Sequence, residues 1–235
     1  MIKFEHTEVH GFEHAIRGMR QPFKVTEKSD SGWCEAGIWA NEQEYSLRTF
    51  VVGPDDAALC HKLNKAGSPH NKFLRQIVCW VDITAPRFWW QEADTYRLGV
   101  EKNSESTMHS IMKRPFMPED FTTGIWPRTI DDMNYVRDRY LRAEDLRAKK
   151  DIWRELIDNL PQSYLQKRTT MMSYQAIRSI CEQRKGHKLS EWTEFIDWAR
   201  RLPNAWLLFD DLYIEPEDPD DNEPWETKAA IAAGR

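Results

Sequence analysis

Ile77-Val78-Cys79-Trp80-Val81 is the most strongly apolar, β-prone run of the chain, and it continues to Thr84 before Pro86 interrupts it. A run of this length closed by proline reads as a strand with at least one buried face. The residues after it narrow the fold further. Arg87-Phe88-Trp89-Trp90-Gln91 leads through Asp94-Thr95-Tyr96-Arg97 into the polar stretch Asn103-Ser104-Glu105-Ser106-Thr107. A strand that passes into an aromatic helix and then a donor-rich turn has two readings. Trp89 and Trp90 form part of a core, or they form a flat wall beside convergent donors, suited to a planar anion such as a nucleotide or flavin.

Around this stretch the patterns alternate between strand and helix. Residues 2–10 read as a strand, Phe12 to Met19 as a short helix, and Leu47 to Val52 as a second strand closed by Gly53-Pro54. Residues 22–46 have no clear period and read as loop. A helix capped by Asp55 or Asp56 runs to Ala66 with Leu59, Leu63 and Ala66 as its apolar face. His70 to Arg75 is a further helical turn. Pro86 to Ala93 is helical, residues 94–103 bend near Gly99, and Ser104 to Lys113 resumes a helix. Residues 116–130 read as a connecting loop. Ile130 to Leu160 reads as one charged helix. Beyond it lie helices over Ser173–Arg184 and from Ser190 to the region of Pro203, the latter with Trp192, Phe195, Ile196 and Ala199 on one face. The expected class is α+β, a central sheet with packed helices and a largely helical C-terminal half.

Length allows one large domain, and no internal repeat or firm boundary divides it. Residues 210–226 hold nine acidic and no basic residues. They open a tail, 210–235, too acidic to offset its ordering entropy, so residues 1–209 read as a single domain with a dispensable, disordered segment after it. Without 210–226 the chain has 29 acidic and 33 basic residues. That balance is too mild for general nucleic-acid binding, and the basic residues of 137–150 are interleaved with acids. There is no signal-like or membrane-spanning apolar run, and Cys34, Cys60, Cys79 and Cys181 form no CxxC pair. The reading is cytoplasmic, with free thiols, no zinc site and no membrane partner.

Neither a Gly-rich phosphate loop nor a GxSxG or HExxH motif is present. The residues left for chemistry are anion-binding candidates: Arg97, Asn103 and Ser106 after the aromatic run, Arg168 after Leu160-Pro161, and Arg178 and Arg184 on one helix. The last two are six residues apart, about 240° around a helix, so they do not share a face.

Two blocks together resemble the flavin-dependent thymidylate synthases. Thr95-Tyr96-Arg97 with Asn103-x-x-Ser106 after it is similar to that family's Arg-His-Arg signature and polar turn. The segment from Leu160-Pro161 to Ala199 is similar to its C-terminal block, in which a Leu-Pro and an arginine precede a helix carrying an essential arginine. Counted from Leu-Pro, Arg184 falls at the position of that essential arginine, and Arg168 within one position of the arginine before it. The wording KAGSPHNKFLR and DITAPRFWWQEADTYR points to phage-borne relatives. The resemblance spans roughly residues 55–200.

It implies a homotetramer with sites built from several subunits, FAD as cofactor, and NADPH and methylenetetrahydrofolate as co-substrates in the methylation of deoxyuridylate. It assigns Arg184 a catalytic role, in which a fixed charge stabilises charge developing on the uracil ring. It places Gln91, Ser104, Glu105, Ser106, Arg168 and Arg184 on the substrate, and His70, Tyr96, Arg97, Asn103 and Arg178 on the flavin, with no metal. The chain departs from the pattern at Thr95 and Tyr96, which replace Arg and His. It departs again in the Arg97-to-Asn103 spacing, one residue longer, and at Met108, which stands where the family has arginine. These departures motivate the alternative of a nucleotide-binding or assembly protein that kept the fold and lost catalysis.

Overall fold

The computed structural model describes residues 2–40 and 43–214, apart from the side chains of residues 36–47. In chain order the elements are β1 (Lys3–His10), α1 (Phe12–Arg20), β2 (Gly32–Ala40), β3 (Gln43–Val51), α2 (Pro54–Lys65), β4 (Val78–Pro86), α3 (Arg87–Ala93), β5 (Val100–Ser104), α4 (Thr107–Ser110), α5 (Pro127–Arg142), α6 (Leu146–Asp158), β6 (Leu165–Ser173), α7 (Tyr174–Arg184) and α8 (Ser190–Ala199). Four strands form one sheet in the order β1-β4-β6-β5, and β2 pairs with β3 in a separate antiparallel hairpin with Gly32 opposite Val51. β4 shows why the apolar run is a strand. Cys79, Val81, Ile83 and Ala85 are buried, Trp80 is exposed, and Asp82 and Thr84 are half-buried, the period of two expected of a sheet with one open face.

The chain divides into two compact units. The first comprises Met1–Thr7, Trp80–Met171 and Gly186–Phe195. Its core contains Trp89 and Trp90, each 1% exposed. Trp89 packs edge-on against Trp90 at 4.9 Å and also meets Trp192 at 4.8 Å and Phe195 at 6.2 Å. The aromatic pair is therefore core, not a wall open to a ligand, because α8 supplies the rings that cover it. Trp89 Nε1 is buried without a hydrogen-bond partner among the described residues. Trp89→Phe removes that orphaned donor along with the indole area, so it is expected to cost less than about 2 kcal/mol by urea denaturation. A larger loss would mean that the indole nitrogen has a partner.

A second cluster in this unit, Ile111, Phe116, Phe121, Ile130, Met133, Leu156 and Leu160, packs α5 and α6 together. The single helix expected over 130–160 is two. Asp145 accepts a hydrogen bond from Ala148 N at 2.7 Å and caps α6, so the chain reverses after Arg142. The helix expected from Ser104 to Lys113 shrinks to α4. Two strands, β5 and β6, occupy stretches whose sequence pattern reads as bend and connector.

The second unit comprises Glu8–Cys79, Met172–Lys185 and Ile196–Arg235. Gly11 joins β1 to α1 at φ 100°, and a Cβ there would lie 2.2 Å from the Gln76 carbonyl oxygen. α1 buries Phe12, Ile16 and Met19, and α7 buries Ile177, Ile180 and Cys181, the faces that helical spacing expects of both. Two expectations fail here. Residues 32–51 contain the β2–β3 hairpin instead of a loop and one short strand. The buried face of α2 is Asp56, Cys60 and Asn64, not Leu59, Leu63 and Ala66. Nor do Asp55 and Asp56 cap that helix. Both donate their backbone N–H groups to the Asp30 carboxylate, at 2.8 and 3.0 Å.

At the end of the described chain, Asp210 pairs with Arg178 and Asp211 with Arg200, and the Tyr213 ring stacks on His61 at 4.0 Å. The start assigned to the acidic tail is thus held by the second unit. The rest of that tail, residues 215–235, lies outside the described residues. Among the described residues no helix is long and apolar enough to cross a membrane.

Candidate functional site

The first unit holds most of the candidates. Gly99, at φ 70°, turns the chain between Arg97 and β5. Gln91, Arg97, Asn103, Ser104, Glu105 and Ser106 are all exposed, and Tyr96 is half-buried with its ring 6.1 Å from Trp192. Backbone bonding fixes the loop, because Glu105 N donates to Lys167 O on β6 at 3.1 Å. Ser106 Oγ lies 2.7 Å from His109 Nδ1, and its carbonyl accepts from Ser110 Oγ.

Arg168 follows Lys167 on β6. Its guanidinium lies 4.2 Å over the Trp90 ring and donates to both oxygens of Asp94, at 2.9 and 3.1 Å. Lys102 of β5 reaches the same carboxylate at 3.0 Å and the Ala93 carbonyl at 2.9 Å. Burial pulls the Asp94 carboxyl upward, but the hydrogen bonds from Lys102 and Arg168 outweigh it and hold the group below its ordinary value. Arg168, Lys102 and Asp94 sum to one positive charge, so the cluster can attract an anion while its carboxylate stays ionised.

The remaining candidates belong to the second unit. His70 is exposed in the turn after Gly67, where its N–H bonds Gly67 O. Arg178 is 9% exposed and is taken up inside the unit. It donates to Leu207 O, Leu208 O and both oxygens of Asp210, and it pairs with Glu182. Arg184 is half-buried at the last position of α7. The six-residue spacing puts the two arginines on different faces, and Arg178 is the more deeply buried of the two.

The sequence pattern does not reveal a polar cluster in the first unit. Lys167 Nζ lies 2.8 Å from Glu5 and 3.6 Å from Asp82, and Asp82 also receives Thr169 Oγ1 at 2.6 Å and His6 at 3.2 Å. The hydrogen bond from Thr169, helped by His6 and Lys167, holds the Asp82 carboxyl below its ordinary value. His6 has φ 52°, rare for a residue with a side chain, and adjacent Glu5 and His6 both reach this cluster. A signal does exist: Asp82 is the one acid in an apolar strand, and Lys167 and Thr169 are two apart. The cluster also shows that register matters on β6. Lys167 and Arg168 differ by one position and reach different partners, so a one-position offset from the family pattern changes the face of the sheet that is addressed.

Among the described residues no group of three His, Cys, Asp or Glu side chains could hold a metal. Burial pushes the Cys79 and Cys181 thiols up to about 12 and Cys60 well above its ordinary value, so none of the three is an activated nucleophile.

A four-stranded sheet packed with helices, with a polar loop after β5 bonded to the β6 backbone, defines an α+β protein. Its fold is similar to that of two solved structures from Helicobacter pylori. One is flavin-dependent thymidylate synthase ThyX complexed with FAD and dUMP, at a TM-score of 0.62 and 15% identity, covering 91% of this chain and 99% of that one. The other is thymidylate synthase X (ThyX) with FAD and dUMP, at a TM-score of 0.56 and 14% identity, covering 89% and 97%. No family model and no curated protein matches the chain. The likeness is one of fold, and it is the ThyX-like fold that the sequence resemblance implied.

Proposed function

We propose that this chain is a divergent, phage-type member of the flavin-dependent thymidylate synthases, a methyltransferase that converts deoxyuridylate to thymidylate. Methylenetetrahydrofolate is the carbon donor and NADPH the reductant. The observation that carries this reading is the ThyX-like fold over nine-tenths of the chain, with an arginine ending α7 where the resemblance requires one.

In this reading Arg184 stabilises negative charge on the substrate without titrating, since a guanidinium stays protonated at any working pH. Ser104, Glu105, Ser106 and Gln91 orient the pyrimidine, and Arg168 draws its phosphate. The exposed Arg97 and Asn103 have the donor chemistry for a pyrophosphate, so with Tyr96 and His70 they would hold FAD, whereas the donors of Arg178 are engaged by Asp210 and two carbonyls. When bound, the reduced flavin supplies the hydride, and the protein contributes placement and electrostatics. Homotetramer assembly with shared sites belongs to the same proposal.

The alternative, a nucleotide-binding or assembly protein without catalysis, is favoured by one observation. Thr95 and Tyr96 stand where the family has Arg and His. A visible spectrum separates the two. The enzyme is expected to purify yellow, or to take up added FAD, and then to form thymidylate. A colourless protein that leaves added FAD unbound would favour the alternative.

A further inference from the structure

We infer that Gln166 is a positioning residue: its side-chain amide couples the substrate loop to Arg168, so that the two are ordered together. This rests on the reading above that the loop and Arg168 take deoxyuridylate. Gln166 lies on β6, two residues before Arg168. Arg168 Nη2 donates to Gln166 Oε1 at 3.1 Å, and Gln166 Nε2 donates to Thr107 Oγ1 at 2.6 Å. The orientation of the amide is dictated by its partners. A guanidinium has no acceptor, so the amide oxygen must face Arg168 and the NH2 group must face Thr107. Thr107 Oγ1 then accepts, and its own hydrogen is directed toward some other acceptor.

Thr107 comes directly after Ser106, at the end of the candidate loop. The backbone of Gln166 is itself fixed, because its carbonyl accepts from buried Trp90 Nε1 at 3.1 Å. The guanidinium is held by Gln166 on one side, by Asp94 on another and by the Trp90 face beneath. One short side chain on a rigid strand therefore sets both the loop end and the arginine. Leucine at position 166 would keep the volume and break both links at once.

The test is a double-mutant cycle read by calorimetry with deoxyuridylate, on Gln166→Leu, Thr107→Val and the double variant, with Thr107→Ser retaining the hydroxyl. Gln166→Leu, which removes both links, is expected to weaken binding about tenfold, Thr107→Val, which removes one, by less, and the double variant no more than Gln166→Leu, because the Thr107 link is already lost in it. Thr107→Ser is expected to bind like the wild type. Unchanged affinity in Gln166→Leu, or full additivity in the double variant, overturns the proposal. Amide hydrogen exchange over Glu105–Ser110 in the ligand-free proteins is the second readout. Faster exchange in Gln166→Leu supports the coupling and unchanged exchange overturns it. If the wild type takes up no deoxyuridylate, the substrate reading has failed, and the exchange experiment still decides whether the amide couples loop and arginine.

Discussion

Asp56→Ala is expected to lower folding stability by about 3–5 kcal/mol, the scale of a broken buried ion pair. Asp56 is fully buried, and Arg20, its partner at 2.5 Å, is 7% exposed. The carboxylate also accepts from Ser29 Oγ and Ser31 Oγ, each at 2.6 Å. Removing it leaves a buried guanidinium without its carboxylate and two half-buried hydroxyls without their acceptor. Burial alone would raise the Asp56 carboxyl, but the hydrogen bonds from Ser29, Ser31 and Arg20 together hold it below its ordinary value. Its contribution is therefore complete above the unfolded-state pKa of about 3.9 and is lost as pH falls through the lower folded-state value. Neighbouring Asp30 has the opposite sign. Burial raises it, so its ionisation costs stability as pH rises from about 3.9 through its folded-state value. Urea unfolding between pH 7 and pH 3 should show the gap between wild type and Asp56→Asn narrowing below about pH 4. A gap that stays constant to pH 3 would show that the carboxylate is not what the network needs.

Arg178→Ala and Arg184→Ala are expected to separate fold from function on a single helix. Arg178→Ala should cost about 2–4 kcal/mol of stability, because Asp210 and the Leu207 and Leu208 carbonyls lose a charged donor. Arg184→Ala should change stability by under about 1 kcal/mol, the scale of a helix C-terminal charge. It should weaken deoxyuridylate binding or turnover by at least about 2 kcal/mol, roughly thirtyfold, as for a lost charge-assisted contact. The comparison is made by thermal denaturation and calorimetry on both variants. Equal binding and equal turnover by wild type and Arg184→Ala would sink the assignment of Arg184.

Much of the helical content is legible because α1, α7 and α8 each bury a face at helical spacing and begin at a turn or cap that the residues announce, such as Ser173. β4 is legible through its apolar run. The β2–β3 hairpin is not, since Gly32–Ala40 mixes Gly, Ala, Trp and Glu without a clean alternation. β5 and β6 are hidden for a different reason. Their residues are mostly polar or charged, and the pairing that makes them strands comes from β4 and from each other, not from local preference. The candidate residues can be picked out of the sequence, but their arrangement cannot. Trp89-Trp90 allows a core or a ligand wall by sequence, and it is core. Arg178 groups with binding residues by sequence, yet its partners are a carbonyl pair and an aspartate far along the chain. The Asp82–Lys167–Glu5 cluster joins three strands, so no window of sequence contains it.

The Asp30 cap on α2 has an entropic consequence. The first turn of that helix takes its acceptor from a residue 25 positions upstream, on the far side of the β2–β3 hairpin. The cap can form only when that loop is closed, so it carries the entropy of closing the segment that contains the hairpin. The start of α2 then reports on the arrival of a remote segment, and a helix that looks autonomous in composition is conditional on that closure.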